Sequence, residues 1–138
     1  MNPQPLRVSD YMTQDLLTVT PDTEITRVVQ LLIDNDISGL MVVGDDGALL
    51  GILTERDCVA AATSAGYYDE LGGPAARYMT SPVETVTSSQ NLVDVAIRMA
   101  RSPFRRFPVV DDGQLVGLIS RRDVLRALGS GSWFTKPG

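Results

Sequence analysis

The chain has 138 residues, 43% of them hydrophobic, which is enough to bury one compact core or two small units that share one. A single cysteine excludes an internal disulfide framework, and the absence of histidine removes the commonest general base and transition-metal ligand. Hydrolytic and metal chemistry are therefore disfavoured. The net charge of −5 argues against duplex nucleic acid as a partner, because phosphate neutralisation needs a basic surface.

The start of the chain and its apolar runs bear on location. Residues 1–5, Met-Asn-Pro-Gln-Pro, have neither a basic n-region nor an apolar h-region. No run approaches the roughly 18 apolar residues of a membrane span. We expect a soluble, cytoplasmic protein that does not contact the membrane.

The charge is unevenly distributed along the sequence. Residues 1–76 hold 3 basic and 12 acidic side chains, a net charge of −9, whereas residues 77–138 hold 9 basic and 5 acidic ones, a net charge of +4. The two halves of the chain are therefore electrostatically complementary.

An internal repeat organises the chain. Tyr11-Met12-Thr13 recurs as Tyr78-Met79-Thr80, and the predicted strand at 18–20 recurs at 85–87, both at an offset of 67. A helix is predicted after each strand, because apolar residues follow at i, i+3, i+4, i+7 and i+8 in both copies. These residues are Ile25, Val28, Val29, Leu32 and Ile33 in the first copy and Leu92, Val95, Ala96, Met99 and Ala100 in the second.

Each copy continues with two short strands, a turn between them and a second helix. The turns carry the sequence Asp-Asp-Gly. The second turn is one residue shorter than the first, so the offset between the copies becomes 66 from this point on. Each repeat is therefore predicted to be β-α-β-β-α. The predicted strands are 40–43 and 49–53 in the first copy and 107–110 and 115–119 in the second; the final helices begin near Glu55 and Arg121, the latter ending before Gly129.

One motif is duplicated at the start of the final helices. The segment 51–57, Gly-Ile-Leu-Thr-Glu-Arg-Asp, returns at 117–123 as Gly-Leu-Ile-Ser-Arg-Arg-Asp. Thr54 and Ser120 are predicted N-caps, and Asp57 and Asp123 place a carboxylate in the positive first turn. The same hydroxyl and carboxylate could also bind an anionic ligand and a sugar diol. Capping alone explains either copy about as well.

Two glycine-containing segments fall outside the repeats. Residues 65–77 are predicted to form a linker, and residues 129–138 are predicted to form a mobile tail. Trp133 and Phe134 lie in the tail, either loosely packed or docked on a partner. The linker acids Asp69 and Glu70 are interpreted as solvated surface rather than as a general acid and base.

This ordered set of motifs, met twice, resembles a tandem pair of CBS domains, known as a Bateman module. The resemblance rests on the Thr-Val openings, the strand 107–111 (Phe-Pro-Val-Val-Asp) and the Gly-x-Leu/Ile-Thr/Ser-x-x-Asp endings, and it covers residues 6–128. It implies an α+β fold with two three-stranded sheets in one pseudo-symmetric disc. The predicted domains are CBS repeat 1 at 6–64, the linker at 65–77, CBS repeat 2 at 78–128 and the tail at 129–138.

The resemblance also implies two adenosine-binding clefts between the repeats. The first would use Thr54 and Asp57, with Asp57 accepting hydrogen bonds from ribose, Val83 and Glu84 beside adenine, and Arg105, Arg106 and Arg122 near phosphate. The second would use Ser120, Asp123, Leu16, Leu17, Ser38, Gly39 and Arg56.

The chain departs from the family pattern in the second cleft, where Ser38 and Gly39 replace the arginine pair. We expect weaker phosphate binding there, because guanidinium groups bind phosphate bidentately. From the residues alone, without the family resemblance, Arg105 and Arg106 would be interpreted as a solvated basic turn. Cys58 lies in the first turn of a predicted helix, where a thiol can become reactive, so a redox sensor is one interpretation. Its counterpart in the second repeat is Val124, which favours apolar packing instead.

The sequence therefore predicts a non-catalytic regulatory protein, with no metal or catalytic site, that binds an adenine nucleotide such as AMP or ATP and signals to a separate, unknown partner protein. A homodimer is expected, and the charge asymmetry favours an antiparallel one. Alternatives are an S-adenosyl-ligand sensor, a dimerisation module without a ligand, and an enzyme that turns over ATP.

Overall fold

The computed structural model describes residues 6–65 and 72–130. The chain divides into two compact units, which we call the central unit (Leu17–Val83) and the terminal unit (Met1–Leu16 with Glu84–Gly138). Within residues 6–65 and 72–130, no helix is long and apolar enough to cross a membrane.

The central unit is built on a three-stranded sheet. Strands β1 (Thr18–Val19) and β2 (Gly39–Val43) run parallel, and β2 pairs antiparallel with β3 (Leu49–Thr54). The helices of this unit are α2 (Ile25–Asp34), α3 (Glu55–Ala65) and α4 (Ala75–Tyr78). Its core contains Val19, Ile25, Val28, Leu32, Leu40, Val42, Leu53, Cys58 and Ala75.

The terminal unit repeats this plan with a smaller sheet. Its helices are α1 (Val8–Tyr11), α5 (Leu92–Ala100) and α6 (Arg121–Gly129), and its strands β4 (Arg106–Asp111) and β5 (Gln114–Ser120) are antiparallel. Its core contains Val8, Val86, Leu92, Val95, Met99, Phe107, Val109, Ile119 and Ala127.

The expected third strand of the terminal unit is reduced to one parallel bridge between Val86 and Val109. Thr18 pairs with Met41 in the central unit, and the counterpart of Met41 is Pro108. Proline has no N–H to donate, so the ladder cannot extend to Thr85. The prediction of two three-stranded sheets was therefore correct for the central unit and wrong for the terminal unit.

The short helix that opens each sequence repeat belongs to the compact unit formed by the rest of the other repeat. Val8 in α1 belongs to the core of the terminal unit, and its N–H donates to Gln90 C=O at 3.0 Å. Ala75 in α4 belongs to the core of the central unit, and its N–H donates to Thr23 C=O at 2.7 Å. A helix of four residues is not stable alone, so each is held by these contacts rather than by its neighbours in sequence.

Two helices extend into segments that were predicted to be linker or tail. Helix α4 begins inside the predicted linker, whose residues 66–71 lie outside the described part of the chain. Helix α6 includes Gly129, and the hydroxyl of Ser130 donates to Ala127 C=O at 2.7 Å, which prolongs the helix past the predicted stop. Trp133 and Phe134 also lie outside the described residues.

Candidate functional site

Thr54 and Asp57 form a reciprocal cap at the start of α3. The Asp57 N–H donates to Thr54 Oγ1 at 3.2 Å, while the Thr54 N–H and hydroxyl donate to Asp57 Oδ2 at 2.9 and 3.0 Å. Such a cap satisfies backbone N–H groups that have no partner within the helix. The capping role predicted from the duplicated motif is confirmed here.

The second carboxylate oxygen of Asp57 accepts a hydrogen bond from the hydroxyl of Thr80, at 3.2 Å. Thr80 is brought there by an antiparallel bridge to Ile52, in which the two residues exchange hydrogen bonds of 2.9 and 3.1 Å. A Cβ atom at Gly51 would lie 2.6 Å from Met79 Sδ and 3.0 Å from the Thr80 carbonyl oxygen, so any larger residue would have to displace Met79.

Thr80 was missed among the predicted site residues. Its signal was the recurrence of Tyr-Met-Thr, since the terminal unit has the same bridge between Thr13 and Leu118, with Gly117 beside Met12. The two duplicated motifs are therefore paired with one another in each unit.

Ser120 and Asp123 form the corresponding cap at the start of α6. The Asp123 N–H donates to Ser120 Oγ at 3.2 Å, and the Ser120 N–H and hydroxyl donate to Asp123 Oδ2 at 2.9 and 3.0 Å. Here the other oxygen, Oδ1, accepts from a guanidinium nitrogen of Arg126 at 2.8 Å. Asp123 is only 5% exposed, so its carboxylate is both buried and neutralised.

The caps of the two units therefore differ in electrostatics. Asp57 is half-buried, and no ion pair involves it within residues 6–65 and 72–130, whereas Asp123 is held by a cation. Arg126 was also missed by sequence reasoning, although its position three residues after Asp123 on a helix is the spacing at which such pairs form.

The three predicted phosphate-binding arginines lie in the terminal unit. Arg106 pairs with Ser120 across β4 and β5, and the backbone carbonyl of Arg105 accepts the Arg121 N–H at 2.9 Å. Arg122 lies in the first turn of α6, and its side chain is exposed, as is that of Arg105. Strand pairing thus gathers these cations at the N-terminus of α6, where the positive end of the helix dipole adds to their field.

Glu84 already has a partner. Arg98 Nε and a terminal guanidinium nitrogen donate to Glu84 Oε1 at 2.9 and 2.6 Å, and the guanidinium also lies 4.7 Å from the centroid of the Phe107 ring. The two charged residues border an open depression of about 500 Å³, which Phe104 also lines. A ligand that bonds the Glu84 carboxylate here must share it with Arg98.

The remaining predicted residues fall in both units. Val83, Leu17, Ser38 and Arg56 belong to the central unit, and Leu16 belongs to the terminal unit. The carbonyl of Ser38 accepts the Glu55 N–H at 2.9 Å, which places Ser38 at the start of α3, while the side chain of Arg56 is exposed. Ser38 thus lies near the Thr54–Asp57 cap, and the residues predicted for each cleft are divided between the two units.

Cys58 packs in the core of the central unit and is 7% exposed. Burial raises the pKa of its thiol, and the neighbouring Asp57 carboxylate raises it further. Both effects disfavour the reactive thiolate. These observations support the packing interpretation over a redox sensor.

The family model of the CBS domain matches residues 8–64 and 75–130. The chain therefore belongs to the CBS domain family, as a tandem pair with a mixed α+β fold.

Three similar proteins illustrate the range of relatives. The uncharacterized protein MJ1225 of Methanocaldococcus jannaschii is 32% identical over 123 residues, which cover 89% of this chain and 43% of that protein. The chain thus spans less than half the length of that relative. A crystal structure of CBSX2 from Arabidopsis thaliana in complex with AMP has a TM-score of 0.80 and 32% identity, and covers 91% of this chain and 98% of that one.

The third is a crystal structure of the CBS domain pair of protein MJ0100, in complex with 5′-methylthioadenosine and S-adenosyl-L-methionine. It has a TM-score of 0.77 and 26% identity, and covers 92% of this chain and 98% of that one.

Proposed function

We propose that the chain is a non-catalytic regulatory protein that binds an adenine nucleotide and signals to a separate partner protein. The observation that carries the proposal is the Thr54–Asp57 cap, whose second carboxylate oxygen accepts a hydrogen bond from a neutral hydroxyl, that of Thr80. A carboxylate in this state can accept hydrogen bonds from both hydroxyls of a ribose once Thr80 is displaced.

The carboxylate of the central unit is the better site for the sugar, because freeing it costs less. Displacing the hydroxyl of Thr80 from Asp57 gives up one neutral hydrogen bond, which contributes about 0.5–1.5 kcal/mol. Displacing Arg126 from Asp123 gives up a charge-assisted bond, which contributes about 1.5–3 kcal/mol. A ribose therefore competes at lower cost for Asp57 than for Asp123.

Phosphate recognition is assigned to Arg105, Arg106 and Arg122. Two of these side chains are exposed, and all three lie at the start of β4 or α6, where the helix dipole also favours an anion. The positions that match the arginine pair in the central unit hold Ser38 and Gly39. The site that contains Asp57 is the one to which the family pattern assigns the arginines, so it should bind charged nucleotides more tightly.

The relatives support adenosine as the shared chemistry. CBSX2 has been crystallised with AMP, and the MJ0100 domain pair with 5′-methylthioadenosine and S-adenosyl-L-methionine. The second of these favours an alternative in which this chain senses an S-adenosyl compound. We prefer a nucleotide because three arginines at the site suit an anionic phosphate better than a cationic sulfonium.

The test is a thermal-shift panel of adenosine, AMP, ADP, ATP, S-adenosylmethionine and GTP on the purified protein. A ligand bound only by the native state stabilises it by about 2.7 kcal/mol at a hundredfold excess over Kd. We expect Tm to rise with AMP, ADP or ATP and not with GTP. No shift with any adenosine compound would instead support a dimerisation module without a ligand.

We also propose that the chain forms a homodimer in an antiparallel arrangement. The central unit carries a net charge of −7 and the terminal unit +2, so unlike units attract across an interface. A monomer in light scattering at micromolar concentration would contradict this.

A further inference from the structure

The depression beside Glu84 in the terminal unit has apolar walls. Ile97 and Phe104 line it and are 47% and 50% exposed, although both are large apolar side chains. The buried ring of Phe107 supports the Phe104 ring from behind in an edge-to-face contact, with centroids 6.4 Å apart. An exposed aromatic face of this kind is a surface on which a nucleobase can stack. The depression therefore suits a planar heteroaromatic ligand.

Arg98 fixes the carboxylate at the edge of this depression. Its Nε and one terminal nitrogen donate to Glu84 Oε1 at 2.9 and 2.6 Å, and its other terminal nitrogen donates to Thr85 C=O at 3.1 Å. The guanidinium also lies 4.7 Å from the centroid of the Phe107 ring. A planar guanidinium held at each of its nitrogens leaves the bound carboxylate little freedom. Glu84 is thus held in place, although its side chain is 42% exposed.

The two carboxylate oxygens of Glu84 differ in what they can still accept. A carboxylate has about four lone-pair sites, two on each oxygen. Arg98 occupies both sites of Oε1. Within residues 6–65 and 72–130, nothing donates to Oε2. Glu84 therefore presents one open acceptor oxygen to a ligand that enters the depression.

Purine bases differ in the donors that they can present to such a carboxylate. Adenine has one exocyclic amine, which lies beside an acceptor nitrogen of the ring. Guanine has a ring N–H and an exocyclic amine side by side, and its other exocyclic group is a carbonyl acceptor. Two adjacent donors are best met by both oxygens of one carboxylate. Because Arg98 holds Oε1, Glu84 is matched to the single amine of adenine.

We propose that Glu84 and Arg98 select adenine in this depression. The open oxygen of Glu84 accepts a hydrogen bond from the exocyclic amine, and Arg98 withholds the second oxygen that guanine needs. Arg98 is a positioning residue, because it acts on the base through Glu84. This inference rests on the proposed function and names the side chains that recognise the base of its ligand.

The first test compares AMP with purine riboside 5′-monophosphate, which is the same ligand without the amine. In calorimetric titration the wild type should bind AMP about tenfold more tightly, the low end for a bond to a charged acceptor. Glu84→Gln should bind both ligands equally, because Arg98 keeps the amide oxygen and leaves the amide N–H groups facing the amine. Asp94→Asn is the matched control, since Asp94 is another carboxylate that lines the depression. It should keep the preference for AMP.

The second test separates the positioning role of Arg98 from a structural one. Methionine in Arg98→Met can still pack on the Phe107 ring but donates no hydrogen bond, so both oxygens of Glu84 become open. The ratio of AMP affinity to GMP affinity should then fall by about three- to tenfold, because guanine gains its second acceptor. A purely structural role would weaken both ligands alike and leave the ratio unchanged. Circular dichroism verifies that each variant is folded.

The outcomes distinguish this inference from the proposed function. A wild type that binds no AMP would overturn both. AMP binding whose preference for the amine survives in Glu84→Gln, or is lost in Asp94→Asn instead, would overturn the role of Glu84 and leave nucleotide binding intact. An unchanged ratio of AMP to GMP affinity in Arg98→Met would overturn the role of Arg98.

Discussion

Arg126 donates a 2.8 Å hydrogen bond to Asp123, and the residue at the equivalent position of the first repeat is Ala60. The same guanidinium nitrogen donates to the backbone carbonyl of Tyr11 at 3.0 Å. The capping carboxylate is thus paired with a cation in the terminal unit and bonded to a hydroxyl in the central unit, and the repeats differ at the residue that supplies the cation.

This relationship predicts the effect of adding the missing cation to the central unit. Ala60 is exposed on α3, three residues after Asp57, so Ala60→Arg can pair with that carboxylate. We expect adenosine affinity to fall by about two- to fivefold, the range of an exposed ion pair. Calorimetric titration measures this, and Ala60→Gln, of similar length without charge, should bind as the wild type does.

The phosphate assignment predicts a dependence on ligand charge. Arg106→Ala should weaken ATP more than AMP and leave adenosine almost unchanged, because adenosine has no phosphate to lose. Arg101→Ala is the control, since it removes an exposed arginine outside the predicted set. Raising the salt concentration should reproduce the order by screening the same charges. Equal losses for adenosine and ATP would show that Arg106 acts on the fold and not on phosphate.

Much of this site follows from short-range sequence. The caps of Thr54 and Ser120 were predictable because a hydroxyl and a carboxylate three residues apart satisfy each other locally. The uneven distribution of arginines was visible in the same way, by comparing Arg105 and Arg106 with Ser38 and Gly39.

The contacts that distinguish the two units were not predictable from the motifs alone. Thr80 reaches Asp57 from 23 residues away because a bridge forms beside Gly51. Pairing of Arg98 with Glu84 spans 14 residues and depends on where α5 ends. The loss of a strand in the terminal unit had a sequence signal, Pro108, whose consequence appears only once the pairing register is known.

A pH effect is expected from Asp111 in the terminal unit. The hydroxyl of Ser88 donates to its Oδ2 at 2.6 Å and the Ser88 N–H to its Oδ1 at 3.0 Å, and these bonds, the first above all, hold the pKa of Asp111 below its ordinary value of 3.8. A depressed pKa stabilises the folded state at pH values above the unfolded pKa, and this contribution is lost as the pH falls through the folded pKa.

The variant that tests this is Ser88→Ala. It should lower the free energy of unfolding at pH 7, and the deficit should shrink as the pH falls below about 4, because the unfolded chain then takes up a proton that folded Asp111 still resists. Urea unfolding at pH 7 and pH 3 gives both values. Ser89→Ala, one residue further on and exposed, is the control; a Ser88→Ala deficit that is equal at both pH values would exclude this linkage.

Because Cys58 is buried, substitution by valine and substitution by serine should differ in their effect on the free energy of unfolding. Valine occupies the counterpart position 124, so Cys58→Val should cost less than about 1.5 kcal/mol of unfolding free energy. Cys58→Ser places a hydroxyl in an apolar core and should cost about 1–3 kcal/mol. Urea denaturation compares them, and the opposite order would indicate a polar environment around residue 58.

The central claim is that the carboxylate of Asp57 carries the tighter nucleotide site. Asp57→Ala and Asp123→Ala are matched variants, because each removes the same half of a capping box from an equivalent helix. Calorimetric titration with ATP should show that Asp57→Ala weakens the tighter binding event roughly 10- to 100-fold, the equivalent of a lost charge-assisted hydrogen bond. Asp123→Ala should leave that event nearly intact, and loss of the tighter binding in Asp123→Ala instead would contradict the account.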